Sequence, residues 1–197
     1  MSISFQSNAT FGSIKSSDGI TLKSGSTLSA PTNGSGRIFN VDGTVVQTVS
    51  LRYDTKSSWS YPAGPTNVIV SDLNITITPK YATSKILLTY MLSYETQYNS
   101  VFRLGRNGTE FLRNSTDGNR WSGFANPGYE PDTASTPMTN TFMYMDYFPT
   151  LSSITYNLIV SSSDSGNGIL YMNRAYSSAG ANDYEVGISY VIAQEIM

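Results

Sequence analysis

From Thr44 onward, apolar residues recur at every second position in short runs that turn residues interrupt. The stretch Thr44-Val-Val-Gln-Thr-Val-Ser-Leu-Arg52 is rich in β-branched residues. Leu73, Ile75 and Ile77 alternate with polar neighbours until Pro79. Ile86, Leu88, Tyr90 and Leu92 alternate again, with Leu87 and Met91 on the opposite side of the same run. Val101-Phe-Arg-Leu-Gly and Thr109-Glu-Phe-Leu-Arg flank Arg106-Asn107-Gly108; Asn-Gly between apolar runs predicts a tight hairpin, because both residues tolerate positive φ. Thr139 to Phe148 reads as one long strand, and Ile154, Tyr156, Leu158 and Val160 keep strict period two. Gly166-Asn167-Gly168 turns the chain into Ile169-Leu-Tyr-Met, and a last strand carries Tyr184, Val186, Ile188, Tyr190 and Ile192 on one face. No stretch repeats with a helical period. About eight strands spaced by turns predict an all-β fold, an antiparallel β-sandwich of jelly-roll type.

Residues 1–43 differ. Ser, Gly, Thr and Asn dominate, apolar residues come as isolated pairs such as Ile3/Phe5, Ile20/Leu22 and Ile38/Phe39, and turn signals recur at Asp18-Gly19, Asn33-Gly34 and Asp42-Gly43. Such a segment buries too little apolar surface to offset its own ordering entropy. Two readings follow: a disordered tail, or an extended N-terminal attachment arm that orders against other subunits. The expected division is an arm over 1–43 and a β-sandwich domain over 44–197. Lys56 to Pro65, with Trp59 and Tyr61, reads as a loop joining the first strand to the sandwich. Asn114 to Pro137 reads as a second and longer loop, of a length that in compact domains is functional or disordered.

Composition then narrows the chemistry. The chain has no histidine and no cysteine, so a Ser–His–Asp triad, a thiolate nucleophile and a sulfur-ligated metal are all excluded. No phosphate-cradling glycine motif occurs. Glycoside hydrolysis, which needs only a carboxylate pair, survives as an option; Glu130 and Asp132 stand nearest to it, and solvated turn formers account for them better. Asp164 with Gly166, Asn167 and Gly168 lacks the acidic ligand series of a calcium loop and reads as a hairpin turn. We therefore expect no enzyme, no metal and no cofactor. Net charge is −2 with only 13% charged residues, which disfavours nucleic acid, and no run approaches the roughly 20 apolar residues that span a bilayer. The opening Met1-Ser-Ile-Ser-Phe lacks the basic start and apolar core of a secretory leader, so synthesis in a cytoplasm is expected. A surface this poor in charge is a liability for a free monomer and suits a chain that packs against copies of itself.

One segment has the residue types of a carbohydrate or receptor site. Asn119, Arg120, Trp121, Phe124, Tyr129 and Asp132 combine rings that stack on sugar faces with groups that bond hydroxyls. The competing reading packs the same aromatics onto the sandwich or a neighbouring subunit.

Several stretches together resemble a β-sandwich module of bacteriophage tail-fibre and virion-surface proteins, especially of phages of aquatic and cyanobacterial hosts. They are Val45-Val-Gln-Thr-Val49, Leu73-Asn-Ile-Thr-Ile-Thr-Pro-Lys80, Ala82-Thr-Ser-Lys-Ile-Leu-Leu88, Phe102-Arg-Leu-Gly-Arg-Asn-Gly-Thr109, Ile154-Thr-Tyr156 and Ala193-Gln-Glu-Ile196. The resemblance implies a trimeric virion protein, attached to other virion proteins on its N-terminal side and exposing a β-tip to a host-surface glycan or other receptor. A surface fibre is the first expectation and a capsid decoration protein the second; a polysaccharide-degrading enzyme is a remote third. The resemblance brings no fixed set of binding residues.

Overall fold

The computed structural model describes residues 43–64, 66–112, 122–128, 136–148, 150–163, 165–177 and 185–197. Eleven strands occur among them: β1 (Val45–Tyr53), β2 (Ser57–Tyr61), β3 (Val68–Ile69), β4 (Ile75–Ile77), β5 (Lys85–Thr96), β6 (Ser100–Arg106), β7 (Thr109–Glu110), β8 (Met138–Asp146), β9 (Ile154–Ser162), β10 (Gly168–Met172) and β11 (Ser189–Ile196). Every pairing is antiparallel. The fold is an all-β sandwich, as the period-two pattern predicts.

Several strands are halves of one lane. Along one side of β5, β11 covers Lys85–Met91 and β10 covers Tyr94–Thr96, so β10 and β11 run end to end. Beyond them β1 lines β11 and β2 lines β10. In the second sheet β3 and β4 share one side of β9, broken by a 3-10 turn at Ser71–Leu73. The chain after β7 leaves the edge of β6 beyond Phe111 and regains it where Ala125 pairs with Phe102. Counted as lanes in chain order, the first sheet runs 1-8-3-6 and the second 2-7-4-5. That is the order of an eight-stranded jelly roll, two Greek keys wrapped face to face.

The breaks are stitched by polar side chains. Asn173, at φ 58°, sits where lane eight is interrupted. Its Nδ2 donates to the carbonyls of Tyr53 (2.8 Å) and Thr55 (3.1 Å), and its Oδ1 accepts from Ser189 Oγ (2.8 Å). One buried amide thus replaces the ladder bonds that lanes one and eight lose at the gap. The hairpin at Arg106-Asn107-Gly108-Thr109 has φ 51° and 81° at its two central residues, the values a two-residue primed turn requires.

Alternation decides the core. Ile86, Leu88, Tyr90, Leu92 and Tyr94 of β5 face Phe102, Leu104, Tyr156, Leu158 and Val160 of the second sheet, all buried. An aromatic seam closes the side where β8 faces β6. Tyr94–Phe102, Phe102–Phe142 and Phe124–Phe142 have ring centroids 5.4, 5.7 and 5.8 Å apart, in edge-on arrangements that suit the ring quadrupoles.

Three expectations change. Ser57–Tyr61, read as loop, is strand β2: its Ser/Trp/Ser/Tyr alternation is the strand signal, with Trp59 and Tyr61 turned inward opposite Leu170 and Gly168. Leu73 is buried from the 3-10 turn rather than from a strand. The last strand starts at Ser189, and its buried face is Ser189, Val191, Ala193 and Glu195. Tyr190 and Ile192, expected on the core face, point outward, because Val191 and Ala193 pair with the inward Tyr90 and Leu88.

Gly168 offers a test. A Cβ there would stand 2.1 Å from the ring of the fully buried Tyr61, which has no room to retreat, whereas one at Gly166 meets nothing within 4 Å. Gly168→Ala is expected to cost about 2 kcal/mol or more, and Gly166→Ala less than about 0.5 kcal/mol, both measured by urea unfolding. Equal costs would refute the assignment of Tyr61 to that space.

Candidate functional site: two unlike outer faces and the buried ties

The long segment that holds the sequence candidates leaves the edge of β6 and returns at Phe124 and Ala125. Phe124 packs into the core, 6.2 Å from Tyr90 and 5.8 Å from Phe142, between ring centroids. Gly123 is pressed so close to the carbonyl of Phe102 that a Cβ would stand 2.2 Å from it. Phe124 is therefore placed as a packing residue. Asn119, Arg120, Trp121, Tyr129 and Asp132 lie outside the described residues, as do Glu130 and Asp164.

Ionised groups that are buried serve as ties. At the end of the sandwich where β6 and β8 finish, Asp146 of the first sheet accepts from Arg106 Nη2 of the second (3.2 Å), with Arg106 Nε in ion-pair contact at 2.9 Å. Tyr156 donates its hydroxyl to the same carboxylate (2.7 Å), and burial together with that carboxylate pushes the phenol well up. The guanidinium is clamped between Phe111 and Phe148, 4.0 and 4.1 Å from the ring centroids. Beside this tie, Glu195 caps the core between the sheets. Its Oε1 accepts from the backbone N–H of Lys80 (2.8 Å) and Tyr81 (3.0 Å), and Oε2 from Gln47 Nε2 (2.7 Å).

The outer face of the second sheet carries a knitted polar network beside the buried Val101 and Ile159. Arg103, with no exposed surface, donates to the Ser122 carbonyl (2.9 Å), Asn67 Oδ1 (2.7 Å) and Ser161 Oγ (3.0 Å), and Glu110 lies at 3.6 Å. Thr76 and Thr155 bond across strands at 2.8 Å, and Asn157 Nδ2 donates to Asn74 Oδ1 at 2.9 Å. These bonds tie neighbouring strands together across this face.

The outer face of the first sheet is the reverse. Described residues between β10 and β11 lie over part of it: Gly187 fits against Ser93, and the Tyr176 N–H reaches Glu95 Oε2 (2.9 Å). Over the rest the register lines up Thr141–Met91–Tyr190, then Met143–Thr89–Ile192, then Met145–Leu87–Gln194. Met143 is 61% exposed, and Val186 and Ile188 at the border are 54% and 37% exposed. Among the described residues β8 pairs only with β5, so its outer edge is free over nine residues with neither proline nor charge before Asp146. Sequence reading did not single out this surface. Its signal was a second apolar set in strands already assigned one core face: Leu87 and Met91 beside Ile86–Leu92, and Met143 and Met145 beside Phe142 and Tyr144.

Among the described residues no group of three or more acidic side chains could hold a metal ion, and no helix is long and apolar enough to cross a membrane. No protein-family model matches the chain, and no curated protein matches it in sequence. Among solved structures, the infectious bursal disease virus Gx strain structure is similar over 77% of this chain, with 12% sequence identity and a TM-score of 0.32. This chain covers 38% of that one.

Glu195 yields a pH prediction. Burial alone pushes its carboxyl up; the N–H groups of Lys80 and Tyr81 and the side chains of Ser84 and Gln47 outweigh burial and hold it below the usual range. A depressed folded-state value means stability that is present above the unfolded glutamate value, roughly 4.3, and lost as pH falls through the folded one. Glu195→Gln should lower the urea midpoint at about pH 7, with the gap to wild type narrowing by about pH 3.5. A gap that stays constant with pH would remove the carboxylate from this role.

Proposed function

We propose that this chain is a non-enzymatic structural protein of a bacteriophage particle, a surface subunit that works by packing against other polypeptides. The observation that carries the reading is the contrast between its outer faces. One carries a network of cross-strand side-chain hydrogen bonds, and the other presents the exposed Met143 with half-buried Leu87, Met91, Tyr190 and Ile192, beside a strand edge that is unpaired among the described residues. A free edge and an exposed apolar face are the two features natural β-proteins suppress unless something binds there. The 13% charged content fits a chain whose surface is largely spent on contacts. The resemblance of Leu73–Lys80, Ala82–Leu88 and Phe102–Thr109 to phage virion modules supplies the setting.

Within this reading a surface fibre comes first, with residues 1–43 docking into the particle. A capsid decoration protein is second, favoured by the position of the apolar surface on a broad sheet face, a shape that lies flat against a shell. Quantitative mass spectrometry of purified particles separates them: tens of copies for a fibre, hundreds for a decoration, and absence from the particle would end both. Receptor contact is assigned to the 114–137 segment. Trp121→Ala with Tyr129→Ala should reduce host adsorption at least tenfold, and unchanged adsorption would remove that role.

A further inference from the structure

The apolar outer face of the first sheet has a defined charge arrangement. Its middle rows carry no ionised group on β8, β5 and β11, where Met143, Ile192, Leu87 and Met91 surround Thr89 and Gln194; the exposed Arg52, paired with Asp54 at 3.3 Å, stands at the β1 margin beside Tyr190. At one end stands Lys85, the first residue of β5, on the same side of the strand, with Nζ 5.3 Å from the ring of the exposed Tyr147. At the other end stands the exposed Glu185, held by Thr136 Oγ1 (3.1 Å) just before β8 and two residues from Gly187, which rests on Ser93. Strand rise separates the Lys85 and Ser93 rows by roughly 27 Å.

Along β8, β5 and β11 this strip is uncharged between a cation at one end and an anion at the other, and the Arg52–Asp54 pair at its margin is neutral overall, so the strip is complementary to itself after a half-turn. The geometry points to a second copy of this chain as the occupant of the face. Two first sheets pack outer face to outer face with their strands antiparallel about a two-fold axis, so that Lys85 of each copy meets Glu185 of the other. An isologous contact requires one patch to match itself, and two sheets so packed sit about 10 Å apart with interleaved side chains. The long, flexible Met143, Met145 and Met91 suit such interleaving. The inference rests on the reading of this face as an assembly surface and names its partner. It yields an even-numbered assembly, in contrast to the three-fold order that the sequence resemblance implies.

Sedimentation velocity on the full-length protein provides the test. Wild type should form dimers or even multiples of them. Lys85→Glu alone and Glu185→Lys alone should each raise the dissociation constant at least tenfold, since each reversal creates two like-charge contacts per interface. The double reversal should restore association, with thermal unfolding of all three variants unchanged. Met143→Lys, which buries a charge at the centre, should abolish the dimer. A monomer at all concentrations, a trimer indifferent to the reversals, or a double variant as weak as the singles would overturn the contact and give the face another occupant. Particle incorporation is scored separately. A protein that dimerises this way yet never enters a particle would keep this contact and sink the virion reading, and a particle protein whose association ignores both reversals would do the opposite.

Discussion

The structure depends on the pairing of β5 on both of its edges. Lys85–Thr96 is the longest strand, with β8 along one side and β11 followed by β10 along the other. Because side chains alternate strictly along it, one residue of slip would exchange Leu88, Tyr90 and Leu92 for Leu87, Thr89 and Met91. Both sets contain apolar residues, so hydrophobicity alone defines the register less sharply here than in an ordinary half-buried strand. Polar fits supply the difference: Ser93 receives Gly187 on its outer side, and its carbonyl and N–H bond Asn173 and Ser189.

The same two-sidedness links fold to function. A strand apolar on both faces is expected where both are covered, as in the middle layer of a stack. Here described residues between β10 and β11 lie over part of the outer face, and the rest leaves Met143 exposed among half-buried Leu87, Met91 and Ile192. The sibling sheet carries a different outer face, with buried Arg103 and Ser161 bonded to the exposed Asn67 and a Thr76–Thr155 rung between strands. Composition common to the whole chain cannot account for a difference between its two faces.

The sequence made much of the architecture legible because antiparallel strands write their own period. The Asn107-Gly108 hairpin, the long β8, the strict alternation of β9 and the turn at Gly166–Gly168 all follow from local chemistry. What local chemistry does not encode is which face turns inward. In β11 the residues Tyr190 and Ile192 are larger than Val191 and Ala193, yet the smaller pair is buried, because directly across the ladder they must lie on the side of Leu88 and Tyr90. For the same reason β2 was hidden: Ser57, Ser58 and Ser60 dilute its apolar signal, and its strand character comes from pairing with β10, more than a hundred residues later. Of the candidate site, Phe124 illustrates the limit. An aromatic in a long loop looks the same whether it stacks on a sugar or on Phe142, and only the return of the chain to the edge of β6 assigns it to the core.

The buried charges obey a spatial logic as well. Arg106–Asp146–Tyr156 and Glu195–Gln47 both lie inside the same end of the sandwich, where Thr44 and Met197 also pair through their backbones. That is where the two sheets must be held at a fixed spacing although the core narrows to its rim. Removing one partner of such a tie would strand a charge in low dielectric at a cost of several kcal/mol, so these residues stabilise one sheet spacing against others. The proposed contact between copies would need that rigidity: if the sheets could shift, the rows of Met143 and Leu87 would lose their alignment, and a contact built from many weak dispersion terms fails when its rows move by a fraction of a side chain. On the proposed contact, the polar ties at the rim act on the same rows as the apolar face, by fixing the spacing of the sheets behind it.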